Sequence, residues 1–364
     1  MLPVQVIDIE SKFWNAENMI DPWYEQNVVC PRDHLSLKPK DGHLLCANGH
    51  LYPVVDGVPV LLLEKLRQTI KTADASMRLA KYNRVTGGQI HNFYIETLGI
   101  RDKDKCALID LIRDQTSYSV DPVVQYSMLA TSGYLYERHL GQLTSYPVPE
   151  IRLPPGFGKR LIDLGCNWGR WSIAAARKGY EVVGLDPSLG AVMAARRVSH
   201  QLGLKTHFVV GDARYLPFPD ADADVVFSYS VMQHFSDEDF ERSVRETNRV
   251  LRPGGVCCMQ TASALGIRSL YHQARRGFRR ASGFEVRYRS PFALRRLFEK
   301  NIGETRTTVD CYFGLGLQAA DVWMMGPVER ALIHLSELLR RVSGFAVPLK
   351  YVADSLYLCA EKRW

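Results

Sequence analysis

The segment 161–176, LIDLGCNWGRWSIAAA, constrains the fold of this chain more than any other part of the sequence. An apolar run closes on Asp163, glycines follow at positions 165 and 169, and a helical pattern leads into EVVGLD, which ends at Asp186. Strand, glycine turn, helix and strand in this order are typical of a nucleoside-binding unit. Open α/β sheets bind ligands at the carboxyl ends of their strands, where both aspartates are expected to lie.

Two nucleoside cofactors are compatible with such a unit, a dinucleotide and S-adenosylmethionine. A dinucleotide needs its pyrophosphate at a helix start that follows a G-x-G-x-x-G pattern. The turn here is GCNWG, with Asn167 at the middle position, no third glycine and Asp163 beside it. That carboxylate would repel a pyrophosphate but attract the amino group of a methionine moiety. Asp186 follows Gly165 by 21 residues, a spacing that suits hydrogen bonds from both ribose hydroxyls. The residues therefore favour S-adenosylmethionine.

The alternation of helical and extended patterns continues downstream. The sequence predicts helices over 189–202 and 236–251 and strands over 206–210, 224–228 and 256–262. Asp212 follows the third of the predicted strands, where its carboxylate can accept hydrogen bonds from an adenine amino group.

Four motifs between residues 155 and 262, DLGCNWG, GLDPS, GDARYLPFPDADADVVFS and LRPGG, resemble those of class I S-adenosylmethionine-dependent methyltransferases, in the broad group that includes quinone and natural-product enzymes. The resemblance implies a Rossmann-like α/β fold with a seven-stranded sheet, whose last, antiparallel strand fits 354–362. That family usually has glycine where Asn167 stands, and asparagine is the non-glycine residue that best tolerates a positive φ. The residues expected to bind the cofactor are Asp163, Gly165, Cys166, Asn167, Trp168, Gly169, Asp186, Pro187, Asp212, Ala213, Ser228 and Tyr229.

A candidate general base follows the fourth predicted strand. Methyl transfer from a sulfonium needs a base only when the acceptor is a weakly acidic hydroxyl or a protonated amine. His234, in SYSVMQHF, lies just past that strand. The alternative role for this side chain is packing at the start of the next helix. An Asn-Pro-Pro-Tyr-type motif, which similar enzymes use to hold nucleobase amines, is absent, since SYSV occupies residues 228–231.

A second pattern lies near the N-terminus. Cys30 and Cys46 are spaced like the two knuckles of a zinc ribbon, and His50 follows the second cysteine. The fourth ligand of a tetrahedral site would be Asp33, or His34 one residue later. The alternative is a metal-free ribbon held by the period-two apolar alternation of residues 52–62.

This segment, with its tail YPVVDGVPVLL, resembles a zinc-ribbon-like family of small subunits that partner methyltransferases in tRNA and translation-factor modification. The resemblance covers about residues 28–63. The sequence departs from the family pattern at the second cysteine, where Asp33 stands.

Length and composition predict a domain order. At 364 residues the chain suggests an N-terminal arm (1–22), a zinc-ribbon-like domain (23–66), a helical linker and cofactor lid (67–150) and the methyltransferase domain (151–364). The net charge of +7 permits anionic partners without requiring them. The acidic N-terminus and the lack of a long apolar run favour a cytoplasmic protein. Six cysteines, expected to be reduced core thiols, lie at 106, 166, 257, 258, 311 and 359.

The acceptor is expected to contact an insertion at 263–303, which is rich in arginine. Arg275, Arg276, Arg279 and Arg280 are predicted to line one helical side, and Leu332, Leu335, Leu339 and Val342 to form an apolar stripe on a later helix. Three functions follow. The first is methylation of a small-molecule or lipid-linked acceptor, with peripheral membrane contact. The second is RNA base methylation through the ribbon and the arginines. The third is a non-catalytic protein that binds S-adenosylmethionine.

Overall fold

The structure is a computed structural model and describes residues 7–8, 20–64, 66–68, 70–82, 93–114, 117–314 and 319–363. Most of the predicted N-terminal arm lies outside these residues. The chain divides into two compact units. The first unit comprises Met1–Tyr146, Pro155–Gly158 and Gly165–Pro219, and the second unit comprises Pro147–Pro154, Lys159–Leu164 and Asp220–Trp364. The predicted domain boundaries at residues 22, 66 and 150 stay predictions.

Strands and helices alternate along most of the chain. The strands are β1 (Ile7–Asp8), β2 (Leu37–Lys40), β3 (His43–Cys46), β4 (Leu51–Val55), β5 (Val58–Pro59), β6 (Ser117–Tyr118), β7 (Arg160–Leu164), β8 (Glu181–Asp186), β9 (Thr206–Val210), β10 (Ala223–Tyr229), β11 (Leu251–Ala262), β12 (Thr305–Cys311) and β13 (Ser355–Glu361). The α-helices are α1 (Pro22–Asn27), α2 (Lys71–Tyr82), α3 (Asp102–Asp114), α4 (Pro122–Ser132), α5 (Arg170–Arg177), α6 (Leu189–Gln201), α7 (Asp237–Val250), α8 (Ile267–Arg275), α9 (Pro291–Asn301), α10 (Pro327–Val342) and α11 (Val347–Tyr351).

The large sheet has seven strands in the order β12-β13-β11-β10-β7-β8-β9. β13 is antiparallel to β11 and β12, whereas the pairs β7 with β10, β10 with β11 and β8 with β9 are parallel. The predicted seven-stranded α/β fold with a last antiparallel strand is confirmed. Parallel strands place their carboxyl ends at one edge, so the residues that end β8 and β9 lie on the same edge within the first unit.

A small antiparallel sheet, β2-β3-β4-β5, forms the N-terminal part of the first unit. It joins the edge strand β9 through backbone hydrogen bonds, because Val60 forms a parallel bridge with Val210 and the Leu61 amide donates to the Val210 carbonyl at 2.7 Å. One hydrophobic core spans the junction, with Val58 and Val60 buried in the same cluster as Phe208. The edge of β9 is thereby covered, which removes an exposed strand edge.

Two expectations about cysteines are wrong. Cys106 is exposed on α3 instead of buried. Cys258 and Cys359 form a disulfide, because the antiparallel register of β11 and β13 places them directly opposite each other. That register depends on pairing between strands 101 residues apart, which no local pattern reveals.

One expectation about the insertion is also wrong. The four arginines at 275, 276, 279 and 280 do not share a helical side, because α8 ends at Arg275 and both Gly277 and Phe278 take positive φ. The predicted apolar stripe falls within α10, where Leu335 and Val342 are exposed and Leu332 and Leu339 are half-buried. Among the helices that the structure describes, none combines the length and apolar character that a bilayer span needs.

Replacing Gly184 in β8 by alanine is expected to destabilise the first unit. A Cβ at this position would lie 2.6 Å from the Phe208 ring and 2.9 Å from the Cys166 sulfur. Overpacking of this kind costs about 1–3 kcal/mol, which denaturant unfolding would measure. The double variant Gly184→Ala/Phe208→Leu should lose less stability than the sum of the losses of the two single variants, because leucine leaves space for the new Cβ where the phenylalanine ring was. Additive losses would contradict this packing argument.

Candidate cofactor site and metal centre

The GCNWG turn owes its shape to three residues in the left-handed region. Gly165, Asn167 and Gly169 have φ values of 74°, 48° and 83°. The tolerance expected of asparagine is therefore confirmed. Its side-chain oxygen accepts the Trp168 amide at 2.7 Å, which stabilises the turn before α5 begins. A Cβ at position 169 would lie 3.1 Å from Ala195, so this glycine also permits close packing of the turn on α6.

Asp186, at the end of β8, is buried and closes the turn. Its carboxylate accepts the amides of Asn167 at 3.0 Å and Ser188 at 2.9 Å. Burial raises the pKa of this carboxyl group to about 6, although both hydrogen bonds oppose the shift. A carboxylate has about four acceptor positions, so two remain for other donors. These two free acceptor positions suit the two hydroxyl groups of a ribose.

The segment after Asp186 is held by residues that sequence analysis missed. The Ser76 hydroxyl, on α2, donates to the Pro187 carbonyl at 2.8 Å and accepts the Leu189 amide at 3.0 Å. The Ser188 hydroxyl donates to the Thr97 carbonyl, and the Thr97 hydroxyl accepts the Gly190 amide, both at 2.7 Å. Serine and threonine in the predicted linker carry no distinctive sequence signal, which is why only the structure finds them.

Asp212 follows β9 and forms an ion pair. Its carboxylate accepts the Arg214 guanidinium, with the shortest N–O distance 2.6 Å, and both side chains are buried. The same guanidinium donates to the Arg67 carbonyl at 3.0 Å, which ties this loop to the segment after the small sheet. An adenine amino group would share the carboxylate with Arg214. Ala213 between them is buried.

The remaining predicted cofactor residues belong to the second unit. Asp163 is buried, one residue before the end of β7. The Ser228 hydroxyl donates to the Leu164 carbonyl at 3.0 Å. The Tyr229 hydroxyl donates to the carboxylate of Asp310 at 3.0 Å. Burial and the Asp310 charge raise the pKa of Tyr229 far above its ordinary value, so it stays a neutral donor.

Asp310 is the centre of a polar cluster that sequence analysis did not identify. One oxygen accepts Gln260 at 3.0 Å and Ser355 at 2.8 Å, and the other lies 3.1 Å from the Arg152 guanidinium. These residues end β11 and β12 or begin β13, so the cluster lies at the carboxyl edge of the parallel strands of the second unit. Pairing across strands that are distant in sequence brings the cluster together.

His234 lies in a short 3₁₀ helix, Met232–His234, after β10. Its Nδ1 lies 2.7 Å from the Phe284 carbonyl oxygen, and its ring stacks on the Phe284 ring with centroids 3.9 Å apart. A carbonyl can only accept, so Nδ1 carries the proton and Nε2 has the free lone pair of a base. Burial lowers the pKa of His234, and the nearby Arg287 charge lowers it further.

The four residues proposed for metal come together. One ligand atom from each of Cys30, Asp33, Cys46 and His50 lies within 4.8 Å of the others. The His50 Nδ1 atom is 3.4 Å from the Cys30 sulfur, 3.3 Å from the Cys46 sulfur and 3.1 Å from the Asp33 carboxylate. Tetrahedral zinc with ordinary bond lengths would give edges of about 3.5 Å. His34, the alternative ligand, is not a member of this group.

The chemistry of the cluster also fits a cation. Burial raises the pKa of the Cys30 thiol to about 11, so this thiol is protonated at neutral pH unless a metal ion stabilises the thiolate. The Tyr52 hydroxyl lies 3.1 Å from the Cys30 sulfur, and the Asn48 side chain donates to Asp33 at 2.9 Å. Such outer contacts orient ligands in metal sites.

Comparison with known proteins agrees with this geometry. Residues 161–255 match the family model described as a methyltransferase domain. The malonyl-[acyl-carrier protein] O-methyltransferase of Serratia marcescens is 34% identical over 136 residues, which is 37% of this chain and 46% of the relative. The demethylmenaquinone methyltransferase of Thermus thermophilus is 36% identical over 99 residues, 27% of this chain and 44% of the relative. The matches thus span about half of these relatives' length.

A solved S-adenosylmethionine-dependent methyltransferase from Thermotoga maritima is 15% identical, with a TM-score of 0.40, and covers 58% of this chain and 84% of that one. The family match confirms the predicted resemblance to methyltransferases over residues 161–255, and the observed strand order confirms the predicted fold.

We expect the purified protein to contain about one zinc ion per chain and to lose it when Cys46 becomes serine. Because zinc binding at a structural site contributes directly to folding, the free energy of unfolding of Cys46→Ser should be at least about 2 kcal/mol lower than that of the wild type. Metal analysis and denaturant unfolding measure the two effects. Cys106→Ser, at an exposed thiol outside the cluster, is the matched control. Zinc-free protein whose stability is unchanged by a chelator would show that the ribbon folds without metal.

Proposed function

We propose that this protein is an S-adenosylmethionine-dependent methyltransferase that acts on a small-molecule or lipid-linked acceptor. The observation that carries the proposal is the GCNWG turn, whose Asn167 amide lies on the buried carboxylate of Asp186. This carboxylate keeps acceptor positions for a ribose, while the turn lacks the third glycine of a G-x-G-x-x-G helix start and has beside it the Asp163 carboxylate, which would repel a pyrophosphate. Relatives named as methyltransferases of malonyl-[acyl-carrier protein] and of demethylmenaquinone support this class of acceptor.

The cofactor, when bound, supplies an electrophilic methyl group on a sulfonium. Asp186 would accept the ribose hydroxyls, Asp212 the adenine amino group, and Asp163 would attract the amino group of the methionine moiety. Ser76 and Thr97 keep the loop after Asp186 in place. Displacement at a methyl group depends chiefly on alignment, so these residues would contribute mostly by fixing the donor.

His234 is the proposed general base. Its Nδ1–H is fixed on the Phe284 carbonyl, and Nε2 can take a proton from an acceptor hydroxyl or amine as the methyl group is transferred. Its lowered pKa keeps the imidazole neutral at physiological pH, as a base must be.

The acceptor class is tested by incubating the protein with labelled S-adenosylmethionine and separate small-molecule, lipid and RNA fractions of the source cell. Label in the small-molecule or lipid fraction supports the proposal. Label in RNA, with binding that falls steeply as salt rises, would instead establish the RNA base methyltransferase alternative. Failure of the protein to bind S-adenosylmethionine in calorimetry would reject both.

We expect cofactor affinity to depend on pH through Asp186. The pKa of this carboxyl group is raised from 3.8 to about 6, so below pH 6 the folded protein holds it protonated and it loses an acceptor for ribose. The dissociation constant should rise about ten-fold per pH unit below that value. Because the pKa of Asp186 is higher in the folded protein than in the unfolded chain, the cofactor-free fold loses stability as the pH rises from about 4 to about 6.

Asp186→Asn should bind weakly at every pH and lose this dependence, as measured by calorimetry from pH 5 to pH 8. A wild-type dissociation constant that stays constant over the range would argue against a ribose-binding role for the carboxylate.

For an acceptor that must lose a proton, His234→Ala should lower kcat by about 10²–10⁴-fold. In the wild type, kcat/KM should rise with pH through a pKa below the ordinary histidine value and then level off, because only the neutral imidazole is a base. His43→Ala is the matched control, since His43 Nδ1 also lies on a backbone carbonyl, that of Asp41, but in the small sheet. Unchanged turnover across pH in His234→Ala would remove the base role.

A further inference from the structure

Two helical segments of the second unit expose an unusual amount of apolar side chain. On the segment 265–280, which contains α8, Ile267 is 61% exposed and Tyr271 is 56% exposed. On the segment 328–352, which contains most of α10 and all of α11, Leu338 is 58% exposed and Phe345 is 94% exposed. Contiguous apolar surface of this kind on a folded protein marks an interaction site.

The exposed residues of α10 form a stripe that is distinct from the core. Val328, Leu335, Leu338 and Val342 recur at spacings that place them on one side of the helix, and all are exposed. The buried residues Ile333 and Ser336 lie on another side, where the Ser336 hydroxyl accepts the Tyr312 amide at 2.9 Å. The helix is therefore anchored by one face and presents a second apolar face outward.

Most charged side chains around these apolar residues are basic. Residues 265–280 contain five arginines and no carboxylate. On α10, Arg330 and Arg341 are exposed, and Glu329 is half-buried. Glu337 of the same helix is turned inward, where it pairs with Arg152 and Arg340 at 2.7 Å each.

Two of the arginines are available to a ligand. Arg279 is paired with Glu285, and Arg289 with Asp237. Among the residues that the structure describes, Arg275 and Arg280 form no ion pair, and the Arg275 guanidinium lies 5.7 Å from the Tyr271 ring centroid. Unpaired cations next to exposed aromatic and aliphatic side chains match an interface between an anionic headgroup layer and hydrocarbon.

The two segments adjoin each other. The Ser269 amide, near the start of α8, donates to the Asp354 carboxylate at 2.8 Å, a few residues after α11. We call the exposed side chains of residues 265–280 and 328–352 the cationic apolar surface.

We propose that the cationic apolar surface binds the surface of an anionic lipid bilayer. Amphipathic helices with this residue pattern lie in the headgroup region, with apolar side chains inserted and cations on the lipid headgroups. A second copy of the chain fits less well, because two such faces would bring like charges together. Nucleic acid would pair with the arginines but would leave the aliphatic stripe exposed to water. The proposal does not depend on methyl transfer.

The test is co-sedimentation of the full chain with phosphatidylcholine vesicles that contain or lack phosphatidylglycerol, without cofactor. We expect binding only to the anionic vesicles, and less of it at high salt. Leu335→Glu/Leu338→Glu should weaken binding at least about ten-fold, since two apolar side chains are lost from the contact. Arg275→Ala and Arg280→Ala should each weaken it about five-fold.

The control is Leu51→Glu, which makes the same type of substitution once, at a 52% exposed leucine of the small sheet, and should bind vesicles like the wild type. Phe345→Trp provides a second readout, because its fluorescence emission should shift to the blue when the side chain enters lipid. Unchanged cofactor affinity in each variant shows that the fold is intact and separates this result from the proposed function.

Three outcomes would overturn the proposal. The first is a wild-type protein that does not bind anionic vesicles. The second is a dimer in solution that Leu335→Glu/Leu338→Glu converts to monomer while vesicles are not bound, since a second copy would then cover the surface. The third is equal vesicle binding by the stripe variant and by Leu51→Glu, which would place the contact elsewhere.

Discussion

The hydrogen bond between the Asn167 amide and the buried carboxylate of Asp186 is the constraint on which the candidate site depends. It joins the left-handed turn to the end of β8 and thereby sets where a nucleoside can lie. Burial makes the carboxylate hard to ionise, and the two amides it accepts partly offset that cost. The same carboxylate is thus both a structural acceptor and the group that would contact ribose.

The small N-terminal sheet is a structural part of the first unit, which also contains the GCNWG turn, Asp186 and Asp212. Its last strand region bonds to β9, and its apolar residues share a core with Phe208. From that junction the chain continues to the Arg67 carbonyl, which holds the Arg214 guanidinium that pairs with Asp212. A metal ion at the cysteine cluster would therefore stabilise a sheet that supports the adenine end of the site.

The features that depend on local pattern were predicted correctly from the sequence. Turn chemistry predicted the positive φ of Asn167, and strand periodicity placed β7 to β10 within one or two residues. It failed where partners come from distant strands, as with the pairing of Cys258 and Cys359 and the Tyr229 contact with Asp310. Helix ends were also missed, because a helical charge pattern does not indicate that the chain turns after Arg275.

The sequence by itself determined the fold class, the aspartates at the carboxyl ends of β7 and β8, and three members of the cysteine cluster, Cys30, Cys46 and His50, because each of these follows from local pattern and spacing, whereas the structure decided that Asp33 and not His34 is the fourth member. Tertiary structure alone decided that Ser76 and Thr97 hold the loop after Asp186 and that the stripe of α10 faces outward. The physical reason is that burial and hydrogen-bond partners depend on which surfaces meet. An amphipathic helix with two apolar sides can bury either one, and only packing selects between them.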